Sequence, residues 1–370
     1  MRRLAVFRGK CLFILPFVLA SHFVCADESW DDLSFQDELL ISQNDGKSSH
    51  GNEKSSSEEL FYNPKAAPIV KKDWDLWARG DLLIWQAAED NLLNCFIISS
   101  NLNTPHRGFN QVDLEWDLGF RLQIGYTAPY DGWDLSLDWT RYTTDADSTV
   151  HAKGNNHIPS PAWGASAINQ PILFLERSKA KWHLHFNQLD LELGRSYYVG
   201  KYFTLRPNFG LRSVWIDQKL HFNYISSTPS LSVKGNLHNR FWGIGLMLGM
   251  GADWLFNKHW SLFGETDYAL LFGDFDISQS GKRSNGIGWN QKKDFDSGKG
   301  VLDIAAGIKY HFLFHKERLG LTFRTGYEYH VYFNQNQYLI SNGSDNFENF
   351  IEIKGNLAFQ GVMISGQFDF

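Results

Sequence analysis

The stretch WDLGFRLQIGYTAPYDGWDLSLDWT, residues 116–140, alternates between apolar and polar side chains on both sides of a short turn. From Trp116 to Tyr126 every second residue is apolar or aromatic, and the residues between them are polar or glycine. After Pro129-Tyr130-Asp131-Gly132 the same alternation returns from Trp133 to Trp139. A period of two over about eleven residues is typical of a tilted strand that crosses a membrane. The stretch therefore predicts a membrane-spanning β-hairpin.

Similar two-strand units recur along the chain, each with a short turn in its middle, at residues 183–212, 242–270 and 302–329. A single strand around Leu76–Ile84 precedes the set, and another around Val362–Phe370 ends it. Counted in this way, the sequence predicts ten strands. Counts from eight to twelve remain compatible with it, because Ile172–Leu175 or Lys219–Tyr224 could form additional short strands.

The connections between these strands alternate between short turns and long polar segments. The long segments lie near residues 89–111, 144–181, 218–239, 273–299 and 334–349. Outer-membrane barrels have short periplasmic turns, long outward loops and an even number of strands, and closure leaves no unpaired strand edge. A soluble two-sheet sandwich is the alternative, but its outward faces would be polar. We therefore predict an antiparallel transmembrane β-barrel, all-β, with both termini on the periplasmic side.

The first part of the chain differs in composition from the predicted barrel. Residues 1–26 combine a basic start with a short apolar run and are expected to be a cleaved export signal. Residues 27–72 are polar and acidic, which predicts a disordered periplasmic stem. The barrel is expected to occupy residues 73–370. No segment after the signal has the ~18 consecutive apolar residues of a membrane-spanning helix.

The charge and cysteine content narrow the possible functions. The whole chain carries a net charge of −6, and removal of a signal with four basic residues leaves about −10. This acidic balance gives no support to nucleic-acid binding. Of the three cysteines, only Cys95 lies outside the expected signal, so an intramolecular disulfide is excluded from the mature protein.

Two parts of the predicted barrel resemble a known family. Gly80–Ala87 resembles the opening strand of the Legionella-type major outer membrane protein family, pore-forming proteins that also occur in chlamydia-related bacteria. Trp116–Arg121, Tyr130–Leu135 and Leu137–Arg141 resemble that family's most typical hairpin. The likeness extends over about residues 73–370 and is strongest in its first third. It implies a porin-like β-barrel. The chain lacks the many cysteines of cross-linked chlamydial porins, so a disulfide-linked coat is not expected.

The polar face of each strand is expected to point into the lumen. The predicted pore-lining residues are Arg79, Asp81, Asp117, Arg121, Asp134, Asp138, Asp190, Glu192, Arg206, Arg212, Asp253, Glu265, Asp267, Asp303, Lys309, Arg324 and Glu328. Carboxylates outnumber basic groups in this set, which would give an open pore a mild preference for cations. The alternative is that the charges pair across the lumen and plug it. Barrels of about eight strands are filled by side chains, and ten strands lie close to that limit.

Histidines offer a weak indication of a metal site. His183 and His185 lie two residues apart on one strand face, but the sequence identifies no third ligand. We expect both to be polar lining of the lumen, and we expect the same for His311, His315 and His330. No metal and no cofactor are predicted.

An enzyme at the outer rim is the other chemical hypothesis. Ten-stranded outer-membrane proteases need paired aspartates and an Asp–His couple that activates a water molecule. Asp145 and Asp147 could supply the pair, but no Asp-His dipeptide occurs in the chain, and Asp31-Asp32 lies in the predicted stem. We expect Asp145 and Asp147 to be solvated loop charges, and no catalysis is predicted.

The sequence thus predicts a porin-like protein through which small polar solutes diffuse passively across the bacterial outer membrane. The alternative is a closed barrel that acts as a structural or adhesive surface protein through its long outward loops. The expected partners are outer-membrane lipid, small polar solutes and the barrel-assembly machinery, which would recognise Phe370 and Phe368 on the last strand. An oligomer is compatible with the sequence.

Overall fold

Strands account for most of the chain in the computed structural model, which describes residues 75–98, 107–128, 132–154, 157–163, 174–227, 230–286, 288–315, 319–341 and 350–370. The strands are β1 (Leu76–Glu89), β2 (Leu93–Ile98), β3 (Arg107–Gln111), β4 (Trp116–Thr127), β5 (Trp133–His151), β6 (Ile158–Pro161), β7 (Arg177–Arg195), β8 (Tyr197–Gly200), β9 (Phe203–Ser227), β10 (Ser230–Leu255), β11 (Trp260–Arg283), β12 (Gly288–Phe314), β13 (Leu319–Ser341) and β14 (Phe350–Asp369). The predicted signal and stem, residues 1–72, lie outside the described residues, as does the turn Pro129-Tyr130-Asp131.

Ten of these strands form one closed antiparallel barrel, in the order β1-β4-β5-β7-β9-β10-β11-β12-β13-β14 and back to β1. The first and last strands pair from Trp77↔Asp369 to Glu89↔Leu357, which closes the sheet. The predicted barrel with ten strands is therefore confirmed. The described ends, Asp75 and Phe370, both lie at the end of the barrel that carries the short turns.

The outward faces of the barrel carry a belt of apolar side chains, as the alternation predicts. Leu118 and Leu246 are 66% and 69% exposed, far more than a soluble protein tolerates over a continuous surface. On β9 and β10 the belt runs from Phe203 and Trp254 near the turns up to the paired Trp215 and Trp242. Aromatic residues at both borders are typical of membrane–water interfaces.

Beyond this belt, the structure corrects the expectation of long outward loops. Residues 218–239 and 273–299 are mostly strand, and only residues 228–229 and 284–287 separate β9 from β10 and β11 from β12. The strands continue because their inward side chains, such as Leu220, are still apolar and buried. Their outward side chains are polar because no lipid faces them there, and this polarity resembles that of a loop in the sequence.

A small second sheet, β3-β2-β6, lies at the end of the barrel opposite the turns. Its central residue Asn94 is fully buried, and its side-chain amide donates to the Ser148 carbonyl at 3.3 Å. The Ser178 hydroxyl donates to the Asn94 side chain at 2.6 Å, and the Tyr224 hydroxyl donates to the Asn94 carbonyl at 2.8 Å. These bonds to β5, β7 and β9 fix the small sheet against the inner wall of the barrel.

The described residues contain no helix that is long and apolar enough to cross a membrane.

Candidate functional site: the barrel lumen

A polar cavity of ≈ 320 Å³ occupies the half of the lumen that adjoins the turns. At the turn end it is lined by Trp77, Gly132 and Asp369, and at mid-barrel it reaches Glu328 and His330. We call this cavity the lumen cup. Its wall is built by alternate residues of consecutive strands, because every second side chain of a barrel strand points inward.

Most of the predicted pore-lining residues border the lumen cup, and only Asp81 and Asp117 do not. The carboxylate of Asp81 is covered by Arg79 and Arg121, and Asp117 accepts a hydrogen bond from the Thr144 hydroxyl further from the turns. Gln188 and Asn208 also line the cup, although the sequence analysis did not select them. Their inward positions on β7 and β9 were the available signal, but neutral amides do not stand out in a search for charges.

A chain of ion pairs crosses the barrel where the lumen cup ends. We call it the ion-pair layer, and its members are Asp81, Arg121, Glu328, His330, Asp303, Arg212 and Asp190. These residues come from β1, β4, β13, β12, β9 and β7, so the layer joins strands that are not neighbours in the sheet.

Arg121 supplies one half of the ion-pair layer. Its guanidinium donates to both carboxylate oxygens of Glu328, at 2.9 and 3.0 Å, and to Asp81 at 3.1 Å. A bidentate pair of this kind fixes geometry as well as charge. Because β4 and β13 are separated by β14 and β1, the bond spans part of the lumen.

Arg212 supplies the other half. It donates to both carboxylate oxygens of Asp190 at 2.9 Å, and it also donates to Asp303. His330 connects the two halves, with its Nδ1 2.8 Å from Asp303 and its Nε2 3.1 Å from Glu328. Arg212, Asp190 and Asp303 are all buried, so their charges neutralise one another rather than being hydrated.

Further pairs line the lumen cup nearer the turns. Arg206 donates to Asp134 and Glu192. Two further pairs lie outside the ion-pair layer and the Arg206 group. Lys309 lies 2.7 Å from Asp253, and Arg324 lies 2.7 Å from Glu265. Overall, ten carboxylates and seven guanidinium or ammonium groups line the described cup. The surplus of carboxylates makes the cup electronegative.

Asp138 is the clearest uncompensated carboxylate of the lumen cup. It is 7% exposed, and its Oδ1 has no hydrogen-bond partner among the described residues. It lies on β5, beside Ser136 and opposite Asp190 in the strand register. A buried carboxylate oxygen without a hydrogen-bond partner carries a desolvation cost, which a cation in the cup would offset.

A layer of aromatic rings closes the lumen on the other side of the ion-pair layer. We call it the aromatic layer, and it consists of Trp85, Tyr142, Phe186, Tyr332 and Phe359. Their ring centroids lie 4.7 to 6.0 Å apart, and each residue is at most 2% exposed. The expectation of a polar lumen face is therefore wrong in this half of the barrel.

The sequence contained a sign of this layer. In β1 the apolar run covers both alternating faces, with Leu82 and Ile84 outward and Leu83, Trp85 and Ala87 buried inside. Continuous apolar sequence indicates a strand that is covered on both faces.

The family model described as "Legionella pneumophila major outer membrane protein precursor" matches residues 66–370. The chain belongs to this family. It is accordingly an outer-membrane β-barrel protein of bacteria, and the resemblance predicted from Gly80–Ala87 and Trp116–Arg141 is confirmed.

Three solved structures with a similar fold share little sequence with this family member. The outer membrane protease OmpT from Escherichia coli is 10% identical, with 82% of this chain and 99% of that chain covered, at a TM-score of 0.39. The P. putida toluene transporter TodX is 11% identical, with 80% and 90% covered, at a TM-score of 0.29. A Pseudomonas aeruginosa FadL homologue is 8% identical, with 80% and 90% covered, at 0.27. A search of curated proteins found no match.

In this member of the Legionella major outer membrane protein family, two histidines expected in the lumen face outward instead. Trp182, Leu184 and Phe186 are the buried inward residues of β7, so His183 and His185 lie on the outer wall. The predicted alternation of β7 is present. Beyond the lipid belt, however, its polar face is the outer face of the barrel and not the lumen face. The prediction of lumen lining is wrong for this pair.

The other histidines divide between the lumen and a turn. His330 belongs to the ion-pair layer, as predicted. His311 is partly buried on β12, with its Nδ1 2.7 Å from the Thr322 hydroxyl. His315 is exposed after β12 with a φ of 52°, so the prediction of lumen lining is wrong for it.

Asp145 and Asp147 are predicted to be solvated loop charges, but the prediction of a loop is wrong. Both residues lie on the outward face of β5. They remain exposed, and Asp145 contacts the His183 ring. The two terminal phenylalanines pack together with ring centroids 4.8 Å apart. Recognition of Phe368 and Phe370 by assembly machinery stays a prediction.

Proposed function

We propose that this protein is a porin-like channel through which small polar solutes cross the outer membrane, with a mild preference for cations. The observation that carries the proposal is the lumen cup, a cavity of ≈ 320 Å³ that reaches mid-barrel and is lined by charged and amide side chains. The aromatic layer closes this conformation, so passage requires the rings to move apart.

The lining of the lumen cup determines which solutes it suits. Paired charges such as Arg206 with Asp134 and Lys309 with Asp253 can hydrogen-bond water and the polar groups of a solute. Apolar solutes would have to displace that water without replacing its hydrogen bonds. The surplus carboxylates, Asp138 above all, support the preference for cations.

On this proposal the aromatic layer acts as a gate. Its ring Tyr332 lies two residues after the polar His330 on β13, so the aromatic layer borders the lumen cup directly. Its polar anchors are few: the Tyr142 hydroxyl donates to the Trp85 carbonyl at 2.9 Å, and the Tyr332 hydroxyl donates to Gln188. Opening also requires movement of the buried side chains beyond the five rings, among them Trp163, Phe222 and Tyr338, which belong to the same apolar cluster.

A closed barrel with a structural or adhesive role is the second candidate. The aromatic layer supports it, because all five rings are buried, and so does the small sheet held by Asn94. On this view the outer wall and the outward connections would carry the function. The two candidates differ in a single measurable property, namely ion flow through the lumen.

Planar-bilayer recordings of the refolded protein distinguish the two candidates. We expect discrete, brief openings of the wild-type protein and more frequent or larger openings of Tyr332→Ala, which removes one ring of the aromatic layer. Phe333→Ala is the matched control, because the adjacent residue faces outward and is 38% exposed. If neither wild-type nor Tyr332→Ala protein shows channels in repeated insertions, the channel proposal fails and the closed barrel stands.

A further inference from the structure

Two imidazole rings face each other on the outer wall, beyond the lipid belt. His183 and His185 point outward from β7. They lie six and four residues before Leu189, which belongs to the exposed apolar belt. Their rings are nearly perpendicular, with centroids 4.3 Å apart. The Nε2 atoms of the two rings lie only 2.7 Å apart. Both rings thus direct one nitrogen toward the same point.

The other nitrogen of each ring has its own partner on β5. His183 Nδ1 contacts the Asp145 carboxylate, and His185 Nδ1 lies 3.2 Å from the Thr143 hydroxyl oxygen. The two Nε2 atoms lie within hydrogen-bond distance of each other, so one Nε2–H donates to the other ring. When each Nδ1 instead carries the proton and donates it to these oxygens, both Nε2 lone pairs become available to a metal. Histidines that bind metals almost always donate their second ring N–H in this way, often to a carboxylate.

From this arrangement we propose that His183 and His185 form an outward-facing binding site for a divalent copper-class or nickel-class ion. Metal–imidazole bonds of about 2.0–2.1 Å at a right angle place the two nitrogens about 2.9 Å apart. The observed 2.7 Å therefore needs only a small opening of the rings. A tetrahedral ion would need a wider separation, so square-planar metals fit better.

The site has room for water as the remaining ligands. The side chain of His183 is 30% exposed and that of Asp145 is 79% exposed. No group of three or more histidine, cysteine or carboxylate residues suited to a metal occurs in the described part of the chain. The site is therefore open, with two protein ligands, and it binds reversibly rather than as a structural metal centre. The site does not depend on whether the lumen conducts.

Copper binding to the refolded full chain in detergent micelles tests the proposal. Titration with Cu²⁺, followed by electron paramagnetic resonance, should show one bound ion with hyperfine coupling to two imidazole nitrogens. His183→Ala and His185→Ala should each remove that signal, and Asp145→Asn should weaken binding about tenfold. His238→Ala is the control, since this outer-wall histidine lies 2.7 Å from Asp217 and outside the pair.

The protein has 13 histidines in all, so the control variant decides where the ion binds. If His183→Ala and His185→Ala keep the two-nitrogen signal, or if His238→Ala loses it equally, the proposal is overturned. A wild-type protein that binds no Cu²⁺ at micromolar concentrations overturns it as well. Heat-dependent gel migration of each variant shows that the barrel is folded, so loss of binding is not loss of structure.

Discussion

At the scale of single residues, the buried charges of the ion-pair layer tolerate substitution poorly. Arg212 is 3% exposed and holds Asp190 and Asp303, which are 7% and 6% exposed. Removal of one partner from such a set leaves buried carboxylates without compensation. The layer therefore constrains which substitutions the barrel can accept.

We predict that Arg212→Met lowers the free energy of unfolding by about 3–5 kcal/mol, because two buried carboxylates lose their counter-charge. Urea titration of the refolded protein measures the change. The matched control is Arg240→Met on the outer wall, where a 53% exposed side chain pairs with Asp276. That variant should lose about 0–1 kcal/mol. Equal losses in the two variants would contradict the role assigned to the ion-pair layer.

Asp138 is the residue that we expect to set ion preference. Asp138→Asn replaces a buried cup carboxyl, whose Oδ1 lacks a hydrogen-bond partner among the described residues, with a neutral amide, so the reversal potential under a salt gradient should shift away from cation preference. Asp294→Asn, an exposed change on the outer wall, should leave the reversal potential unchanged. An unaltered reversal potential in Asp138→Asn would show that this carboxylate does not select ions.

At the scale of strands, close approach of neighbouring backbones fixes the register in places that no charge marks. A Cβ atom added at Gly245 of β10 would lie 1.8 Å from the carbonyl oxygen of Leu270 on β11. At Gly264, also on β11, an added Cβ would meet nothing within 4 Å. The two glycines look alike in the sequence, and only the structure separates them.

We predict that Gly245→Ala reduces the yield of folded barrel, because β10 and β11 must separate to make room for the methyl group. The destabilisation should be at least about 1–3 kcal/mol, as for other overpacked sites. Gly264→Ala should fold like the wild type. Heat-dependent gel migration gives the folded fraction, and a well-folded Gly245→Ala protein would argue against the observed strand pairing.

The strands also show which parts of the fold could be predicted from the sequence. The alternation from Trp116 to Tyr126 correctly predicted orientation and membrane exposure, because lipid imposes a strict rule on that face. Beyond the lipid belt, outward side chains no longer have to be apolar. The polar residues 218–239 were therefore predicted as a loop although they are strand, and His183 and His185 were assigned to the lumen instead of the outer wall.

At the scale of the whole molecule, the barrel interior is divided into two unlike halves. The lumen cup was largely predictable, because charged residues at inward positions such as Arg212 and Asp303 are rare elsewhere in a membrane strand. The aromatic layer was not predicted, because its members come from five strands far apart in the sequence, from Trp85 to Phe359. No local pattern shows that such residues meet inside a closed sheet.

The central claim is that the lumen opens as a polar cup toward the periplasm and is closed toward the cell exterior by the aromatic layer. Cysteine accessibility tests it most directly, in a Cys95→Ala background because that buried thiol is free. Gln367→Cys places a thiol in the lumen cup, and Lys181→Cys places one on the exposed outer wall.

A bulky, membrane-impermeant maleimide is then added to intact cells and, separately, to cells with a permeabilised outer membrane. We expect Lys181→Cys to react in both samples and Gln367→Cys to react only after permeabilisation. Reaction of Gln367→Cys on intact cells, at a rate similar to that of Lys181→Cys, would contradict the closed outer half and the orientation of the barrel.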